Sequence, residues 1–209
     1  MKIKYLGHSA FCLSGNYSVC IDPFDKIGFD FETQTVDFCL CSHKHFDHNA
    51  THLVNSTLTV FGEYKKGLEK ISLEIIKSYH DTEFGTKRGE NSLYKFVIDD
   101  ITFCHLGDFG EVVNTEIKNR IGKVDVLFLP VGGRYTIDEI GALKVIEYVK
   151  PKIAIPMHYK TAKSNIDIKP ISEFLKINPY KVVNVPTEFE LEKPMNEETL
   201  IYLPDSSNY

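Results

Sequence analysis

The chain has 209 residues, of which 43% are hydrophobic, and it carries 29 acidic against 24 basic side chains, a formal net charge of −5. This apolar content is typical of a globular protein with a sizeable core, and it excludes intrinsic disorder. The acidic balance provides no basic surface for nucleic acid, and no apolar run reaches the roughly 18 residues of a membrane span. We therefore expect neither a nucleic-acid partner nor a membrane span.

Short strands open the chain at 2–6, 10–14 and 17–21, and the last two are joined by a hairpin-type turn at Gly15-Asn16. Further strands are predicted at 36–41, 57–61, 71–79, 92–98, 101–106, 124–129, 152–157, 182–185, 188–191 and 200–203. Helices are predicted at 49–54, 137–149 and 171–177. Because strands in hairpins come first and then alternate with helices, without a linker, we expect one mixed α/β domain over 1–209, with antiparallel sheet edges and helices outside.

The five cysteines are odd in number, show no C-x-x-C spacing and lie in apolar surroundings. Reduced thiols in a core are the simplest interpretation, and they are typical of the cytoplasm. The first residues mix lysines and a histidine with apolar side chains, so they lack the apolar stretch of a signal peptide. We therefore expect a cytoplasmic protein; no feature of the sequence indicates its oligomeric state.

The segment 42–48 reads S-H-K-H-F-D-H and contains three of the eight histidines. In an extended segment alternate side chains share a face, so we expect His43, His45 and Asp47 to point the same way. His48 is expected where the chain turns into the helix at 49–54. An isolated H-x-H would indicate a polar surface loop. The denser pattern H-x-H-x-D-H indicates a site for zinc, manganese or iron, which imidazole and carboxylate ligands suit.

Three other ligand-type residues follow predicted strands in the same way. His80 follows 71–79, Asp108 follows 101–106 and His158 follows 152–157. Ligands in α/β sheets gather outside the strand ends, where connecting loops meet. We therefore expect these side chains to join the histidine cluster in one metal site.

With these residues, the chain resembles the metallo-β-lactamase-fold metallohydrolases. The resemblance spans residues 3 to about 160 and includes H-x-H-x-D-H, the lone His80, Gly107-Asp108 and I-P-M-H-Y around His158. The chain looks most similar to the branch of ascorbate-6-phosphate lactonase and N-acylphosphatidylethanolamine phospholipase D. Four motifs carry this similarity: L-G-H-S-A-F at 6–11, I-D-P-F at 21–24, H-L-G-D at 105–108 and L-P-V-G-G at 129–133.

The resemblance implies a four-layer αβ/βα sandwich of two mixed sheets with helices outside. It also implies two divalent metal ions, for which zinc is expected and manganese or iron are alternatives. The first ion would be held by His43, His45 and His80. The second would be held by Asp47, His48 and His158, with Asp108 bridging both. His105 is a rival for the place of His80, and the family order along the chain favours His80.

Other residues near these motifs have two interpretations each. His8 either reaches the cleft or packs as a hydrogen-bonded core histidine, and Asp22 either forms a turn or orients a ligand histidine. Gly132 and Gly133 either line a substrate pocket or form a tight turn.

His52 is expected on the surface. The candidate substrate contacts are Arg134, Tyr159 and Lys160. Lys44 replaces the small residue common between the first two histidines, and we expect it to narrow or charge the pocket mouth.

The function expected from this site is metal-dependent hydrolysis. A hydroxide bridging the two ions would attack an ester, a lactone or a phosphodiester of a small metabolite, and Asp47 and Asp108 would position it. His105, Tyr159 and a second metal-bound water are candidate leaving-group acids. Two alternatives stay open: an iron-dependent oxidoreductase, although His45 stands where a di-iron site often has a glutamate, and a non-catalytic metal-binding module.

Overall fold

The computed structural model describes residues 1–209, which form two mixed sheets packed face to face. The first sheet has six strands: β1 (Lys2–Gly7), β2 (Ala10–Ser14), β3 (Ser18–Ile21), β4 (Gln34–Leu40), β5 (Val54–Val60) and β12 (Glu188–Glu190). They lie in the order β12-β1-β2-β3-β4-β5. Pairing is antiparallel from β12 to β3 and parallel from β3 to β5. Of the two edges of this sheet, the β12 edge therefore has the expected antiparallel pairing and the β5 edge does not.

The second sheet has seven strands: β6 (Glu74–Tyr79), β7 (Glu90–Ile98), β8 (Ile101–His105), β9 (Val126–Pro130), β10 (Ile153–Met157), β11 (Lys181–Val185) and β13 (Leu200–Pro204). They lie in the order β11-β13-β10-β9-β8-β7-β6. Neighbouring strands from β11 to β8 are parallel to each other. Strand β7 is antiparallel to β8, and β6 is antiparallel to β7. The expected sandwich of two mixed sheets is therefore confirmed.

The central core lies between the sheets, and the two-residue period of the strands explains why. Phe11 of β2 and Phe128 of β9 face each other across it, with ring centroids 4.5 Å apart. The neighbouring residues, Cys12 and Leu127, are also apolar and buried, but on the outer faces. Strands that are apolar on both faces need a cover outside as well as a partner inside.

Helices cover only the second sheet. They are α1 (Glu116–Ile121), α2 (Glu139–Val149) and α3 (Ile171–Ile177). The buried side chains of α2 recur at helical spacing, and its first turn is capped by Asp138, whose carboxylate accepts a hydrogen bond from the N–H of Gly141 at 2.9 Å. No helix is both long and apolar enough to traverse a bilayer.

The first sheet is covered by an irregular segment, 22–33, rather than by the helices that the resemblance implied. Phe24, Ile27 and Phe31 of this segment are buried against the outer face. Pro23 and Gly28 interrupt the backbone, and Gly28 has φ +104° where a Cβ would meet the carbonyl oxygen of Lys163. The segment therefore buries its aromatic rings without forming a helix.

Two local predictions differ from the structure, and one helix was not predicted. The predicted helix at 49–54 is wrong: only a 3₁₀ turn, Thr51–Leu53, is present, because Val54 already pairs with Gln34 in the sheet. The strand predicted from residue 71 begins at Glu74, after the 3₁₀ turn Leu68–Ile71. Helix α1 was not predicted, since its six residues are too few for a clear period.

Candidate metal centre

Seven buried or half-buried side chains converge at one edge of the sandwich: His43, His45, Asp47, His48, His80, Asp108 and His158. The first sheet contributes the loop that follows β4. The second sheet contributes the residues that follow β6, β8 and β10. The expected convergence beyond the strand ends is therefore present in the structure.

The loop 42–48 is a series of bends and turns, so the expectation of an extended segment is wrong. The N–H of His48 donates to the carbonyl oxygen of His45 at 3.0 Å, which closes a turn. As a result the loop divides its ligands between two groups. His43 and His45 lie in one group, and Asp47 and His48 lie in the other; His43 and His48 also meet Asp108 in a third group that overlaps both.

The first group consists of His43, His45 and His80, whose ligand atoms lie within 4.8 Å of one another. His80 is held there by its backbone N–H, which donates to the carbonyl oxygen of Gly89 at 3.1 Å. His105 is not part of this group. Its Nε2 donates to the carbonyl oxygen of Ser9 at 2.9 Å, and its Nδ1 accepts from a backbone N–H, so neither ring nitrogen is free.

The second group contains Asp47, His48 and His158, together with His8, again with ligand atoms within 4.8 Å. His8 Nε2 lies 3.4 Å from Asp47 Oδ2. His8 and His158 both have left-handed backbone, with φ of 56° and 53°, and the N–H of His158 donates to the carbonyl oxygen of His8 at 2.9 Å. His8 is buried and lines neither cavity, but it lies among the candidate ligands and its ring nitrogens have no hydrogen-bond partner, unlike a hydrogen-bonded core histidine.

Asp108 lies between the two groups. Its Oδ2 is 2.9 Å from His80 Nε2 and 3.3 Å from His158 Nε2, and its Oδ1 is 3.1 Å from His48 Nε2. The preceding Gly107 has φ +53°, and a Cβ there would overlap Ser42. Glycine at this position therefore allows the carboxylate to approach both groups.

Asp22 and Ser42 form a layer behind the histidines. Asp22 Oδ2 is 2.9 Å from His48 Nδ1 and accepts a hydrogen bond from Ser42 Oγ at 2.7 Å. Ser42 Oγ lies 3.0 Å from His43 Nδ1 and can accept its proton. His48 thus uses Nδ1 toward Asp22 and His43 uses Nδ1 toward Ser42, and both direct Nε2 to the centre, which is the arrangement that orients a metal ligand.

Burial and opposing charges shift the ionisation of these groups in different directions. Burial and the neighbouring His48 lower the pKa of His43 to about 3, and burial and His158 lower that of His8 to about 4. Burial alone would raise the pKa of Asp108, but His158 and His48 hold it well below its usual range. These shifts favour neutral imidazole at His43 and His8 and ionised carboxylate at Asp108, the forms that bind metal. His48 differs: burial lowers its pKa, but the surrounding carboxylates, chiefly Asp108, outweigh burial and raise the pKa well above its usual value.

A divalent cation fits this set of donors. Nε2 of His43 is buried without a hydrogen-bond partner, and the 3.1 Å approach of His48 Nε2 to Asp108 Oδ1 does not have hydrogen-bond geometry, so these two buried atoms are not satisfied by each other. Unpartnered buried polar atoms are rare, and an ion is one of the groups that satisfies them. Imidazole nitrogen and carboxylate oxygen are also the ordinary zinc ligands.

Two cavities open at the centre. The smaller, about 430 Å³, is lined by ligand residues of both groups, among them His45, Asp108 and His158. The larger, about 910 Å³, shares His45 with it and is also lined by His43 and by Lys44, the residue expected at the pocket mouth. Arg88 lines both cavities. Sequence reasoning missed it, because a lone arginine eight residues after a candidate ligand belongs to no recognisable motif.

The remaining predicted residues lie outside both cavities. Gly132 packs against the backbone of His158, where a Cβ would be 2.1 Å from the carbonyl oxygen. Gly133, next to it, turns the chain with φ +60°. Arg134 pairs with Asp167, and Tyr159 is buried against Tyr5. Lys160 Nζ donates to the carbonyl oxygen of Ile166 at 3.0 Å. The structure therefore does not place Arg134, Tyr159 and Lys160, the predicted substrate contacts, at either cavity.

Known proteins are similar to this chain in sequence and in architecture. Residues 2–158 match the model of the β-lactamase superfamily domain. A UPF0173 metal-dependent hydrolase of Nanoarchaeum equitans is 32% identical over 77% of this chain and 85% of that protein. A UPF0173 protein of Pyrococcus abyssi is 31% identical over 77% and 84%, respectively.

A crystal structure from Thermotoga maritima, of a protein proposed to be a Zn-dependent hydrolase of the metallo-β-lactamase superfamily, is 31% identical. It superimposes with a TM-score of 0.76 over 98% of this chain and 99% of that one. The match therefore extends over the whole sandwich. The chain belongs to the UPF0173 family of metal-dependent hydrolases, within the metallo-β-lactamase superfamily.

Proposed function

We propose that the protein is a dinuclear hydrolase, with zinc as the expected metal, that acts on an ester, lactone or phosphodiester of a small metabolite. The observation that carries this proposal is the pair of donor groups on either side of Asp108. In the proposal His43, His45 and His80 hold one ion. Asp47, His48 and His158 hold the other, and Asp108 contacts both.

When bound, such ions supply a nucleophilic hydroxide at neutral pH, because they lower the pKa of water from 15.7 to about 7. The protein's own residues fix the site in which this happens. Asp22 and Ser42 orient the two imidazoles behind which they lie. Asp47 and Asp108 are the carboxylates that accept hydrogen bonds from a nucleophile and position it.

The dimensions of the site support a small substrate. A cavity of about 430 Å³ at the ligands and one of about 910 Å³ beside it are within the usual range for small-molecule sites. Both are open at the surface, and half-buried His45 lines each of them. We also propose that the chain is related to the lactonase and phospholipase D branch and that it is cytoplasmic. Both proposals are consistent with a small-metabolite substrate.

The experiment combines metal analysis with a substrate panel. Purified protein is expected to contain two metal ions per chain and to hydrolyse at least one class among aryl esters, lactones and phosphodiesters. Asp108→Ala is expected to lose both metal and hydrolysis, because it removes the carboxylate shared by the two groups. His52→Ala is the matched control, since His52 is an exposed histidine close to the cluster.

Three outcomes contradict the proposal. Full metal content in Asp108→Ala removes the assignment of the bridging residue. Full metal with no turnover on any substrate favours a binding module. Iron with oxygen uptake and no hydrolysis favours the oxidoreductase.

A further inference from the structure

Two arginines flank the ring of Tyr135 beside the metal centre. The guanidinium carbon of Arg88 lies 4.0 Å from the ring centroid, and that of Arg134 lies 5.6 Å from it. Arg134 is neutralised by an ion pair with Asp167. Arg88 has no carboxylate within ion-pair distance, and its one hydrogen bond is made by its backbone N–H. Arg88 is therefore the uncompensated cation of the pair.

The loop that carries Arg88 is anchored at the centre. It begins directly after His80, and Asp81 holds it closed. The carboxylate oxygens of Asp81 accept four backbone N–H hydrogen bonds of 2.8–3.0 Å, from Glu83, Gly85, Lys87 and Arg88. These bonds fix the backbone of Arg88 relative to a candidate metal ligand.

Arg88 also lies where the two cavities meet, since it lines the smaller one with His45 and Asp108 and the larger one with Lys44. Lys77, the third cation of the larger cavity, is already paired with Glu90 at 2.5 Å. An anion that enters the site thus has Arg88 and Lys44 as its free positive partners among the lysines and arginines that line it.

We propose that Arg88 binds an oxyanionic group of the substrate, a carboxylate or a phosphate, that is separate from the bond being broken. A guanidinium stacked on an aromatic ring retains its N–H edges, and their planar fork matches a carboxylate or phosphate in a bidentate contact. The substrate class is then an anionic ester, lactone or phosphodiester. The type of bond that is broken rests on the proposed function, whereas the binding of an oxyanionic group by Arg88 does not.

Binding of matched ligands to the metal-loaded protein, measured by isothermal titration calorimetry, tests Arg88 without requiring turnover. Butyrate offers one carboxylate, which the metal centre can take. Glutarate adds a second carboxylate at the far end, and 4-phosphonobutyrate adds a phosphonate there. The wild type is expected to bind one of the two dianions about tenfold or more tightly than butyrate. The preferred dianion identifies the group as carboxylate or phosphate.

Arg88→Gln is expected to reduce this preference to about twofold or less, because it removes the bidentate contact. Lys87→Gln is the matched control. Lys87 is the adjacent cation, lines neither cavity and pairs with Glu83 at 3.2 Å, so the preference is expected to stay at the wild-type value. No preference in the wild type, or an unchanged preference in Arg88→Gln, overturns the proposal.

Arg88→Lys is a second variant in case Arg88→Gln does not fold. It retains the charge without the planar fork, so we expect the preference to fall about threefold or more, and an unchanged preference again overturns the proposal. Hydrolysis of monomethyl glutarate and methyl butyrate completes the design. A calorimetric preference that depends on Arg88, without hydrolysis of either ester or of the wider panel, supports the anion site and contradicts only the hydrolase. Hydrolysis without a preference for a dianion supports the hydrolase and contradicts the anion site at Arg88.

Discussion

The two sheets contribute to the candidate metal centre in different ways. The first sheet supplies His43, His45, Asp47 and His48 from one loop after β4. The second sheet supplies single residues from three strand ends, namely His80, Asp108 and His158. The first set is close in sequence, and a local turn divides it between two groups. The second set is distant in sequence and is brought together by the pairing of neighbouring strands from β6 through β10 in the sheet.

The difference determines what positions each side chain. Ligands in the loop depend on side-chain hydrogen bonds, since Asp22 and Ser42 hold His48 and His43. Ligands on the second sheet depend on close backbone packing, such as that of Gly132 against His158. Side-chain changes behind the loop should therefore affect metal affinity, whereas backbone changes behind the second sheet should also affect stability.

The largest expected effect comes from removing one ligand of each kind. His45→Ala and His158→Ala are each expected to lose one of two bound ions and to reduce hydrolysis by about 10³-fold or more. Metal content by mass spectrometry and initial rates measure both. If either variant keeps both ions while His52→Ala behaves as wild type, the assignment of that residue is incorrect.

A smaller effect is expected behind the loop. Asp22→Asn keeps the shape but removes the charged acceptor of His48 and Ser42, so metal affinity should fall about 10–100-fold. Competition with a chelator measures it. Ser42→Ala removes only the contact to His43, so its effect should be confined to one of the two ions. Equal effects on both ions in Ser42→Ala would show that the layer does not act through individual histidines.

Behind the second sheet, Gly132→Ala places a Cβ 2.1 Å from the carbonyl oxygen of His158, an overlap with backbone that no rotamer relieves. We expect the free energy of unfolding to fall by about 1–3 kcal/mol. Urea denaturation of the metal-free protein measures this change separately from metal binding. An unchanged free energy of unfolding would mean that His158 does not need this backbone contact.

The smallest effect concerns the cysteines, which are all buried: four lie on or beside the first sheet, and Cys104 lies on the second. Burial raises the pKa of Cys104 to about 12. An unfolded thiol ionises near 8.5. Between these values the unfolded chain has lost a proton that the native state retains, so stability should fall as the pH rises through this window.

A thiol reagent at pH 8 provides the direct readout. It should modify no cysteine of the native protein and five of the unfolded protein, since only accessible thiolate reacts. Rapid modification of the native protein would contradict the burial of these side chains.

The contrast between the sheets also explains what the sequence could predict. Alternating and continuous apolar runs identified most strands, and H-x-H-x-D-H identified four of the residues that converge in the candidate metal centre, because both signals are local. The turn within 42–48 and the left-handed backbone of His8 were not predictable. The conformation of His8 accompanies a distant contact, the hydrogen bond from the N–H of His158 to His8. The loop 42–48 is likewise tied to a distant residue, Asp22, through the N–H of Ser42 and Nδ1 of His48. The position of Arg88 beside Tyr135 likewise depends on tertiary packing.

The central claim is that the two sheets hold two ions on either side of Asp108, and a crystal structure of the zinc-loaded protein with anomalous scattering data tests it most directly. The account predicts two zinc peaks, one among His43, His45 and His80 and one among Asp47, His48 and His158. A single peak, or zinc bound away from Asp108, would contradict it.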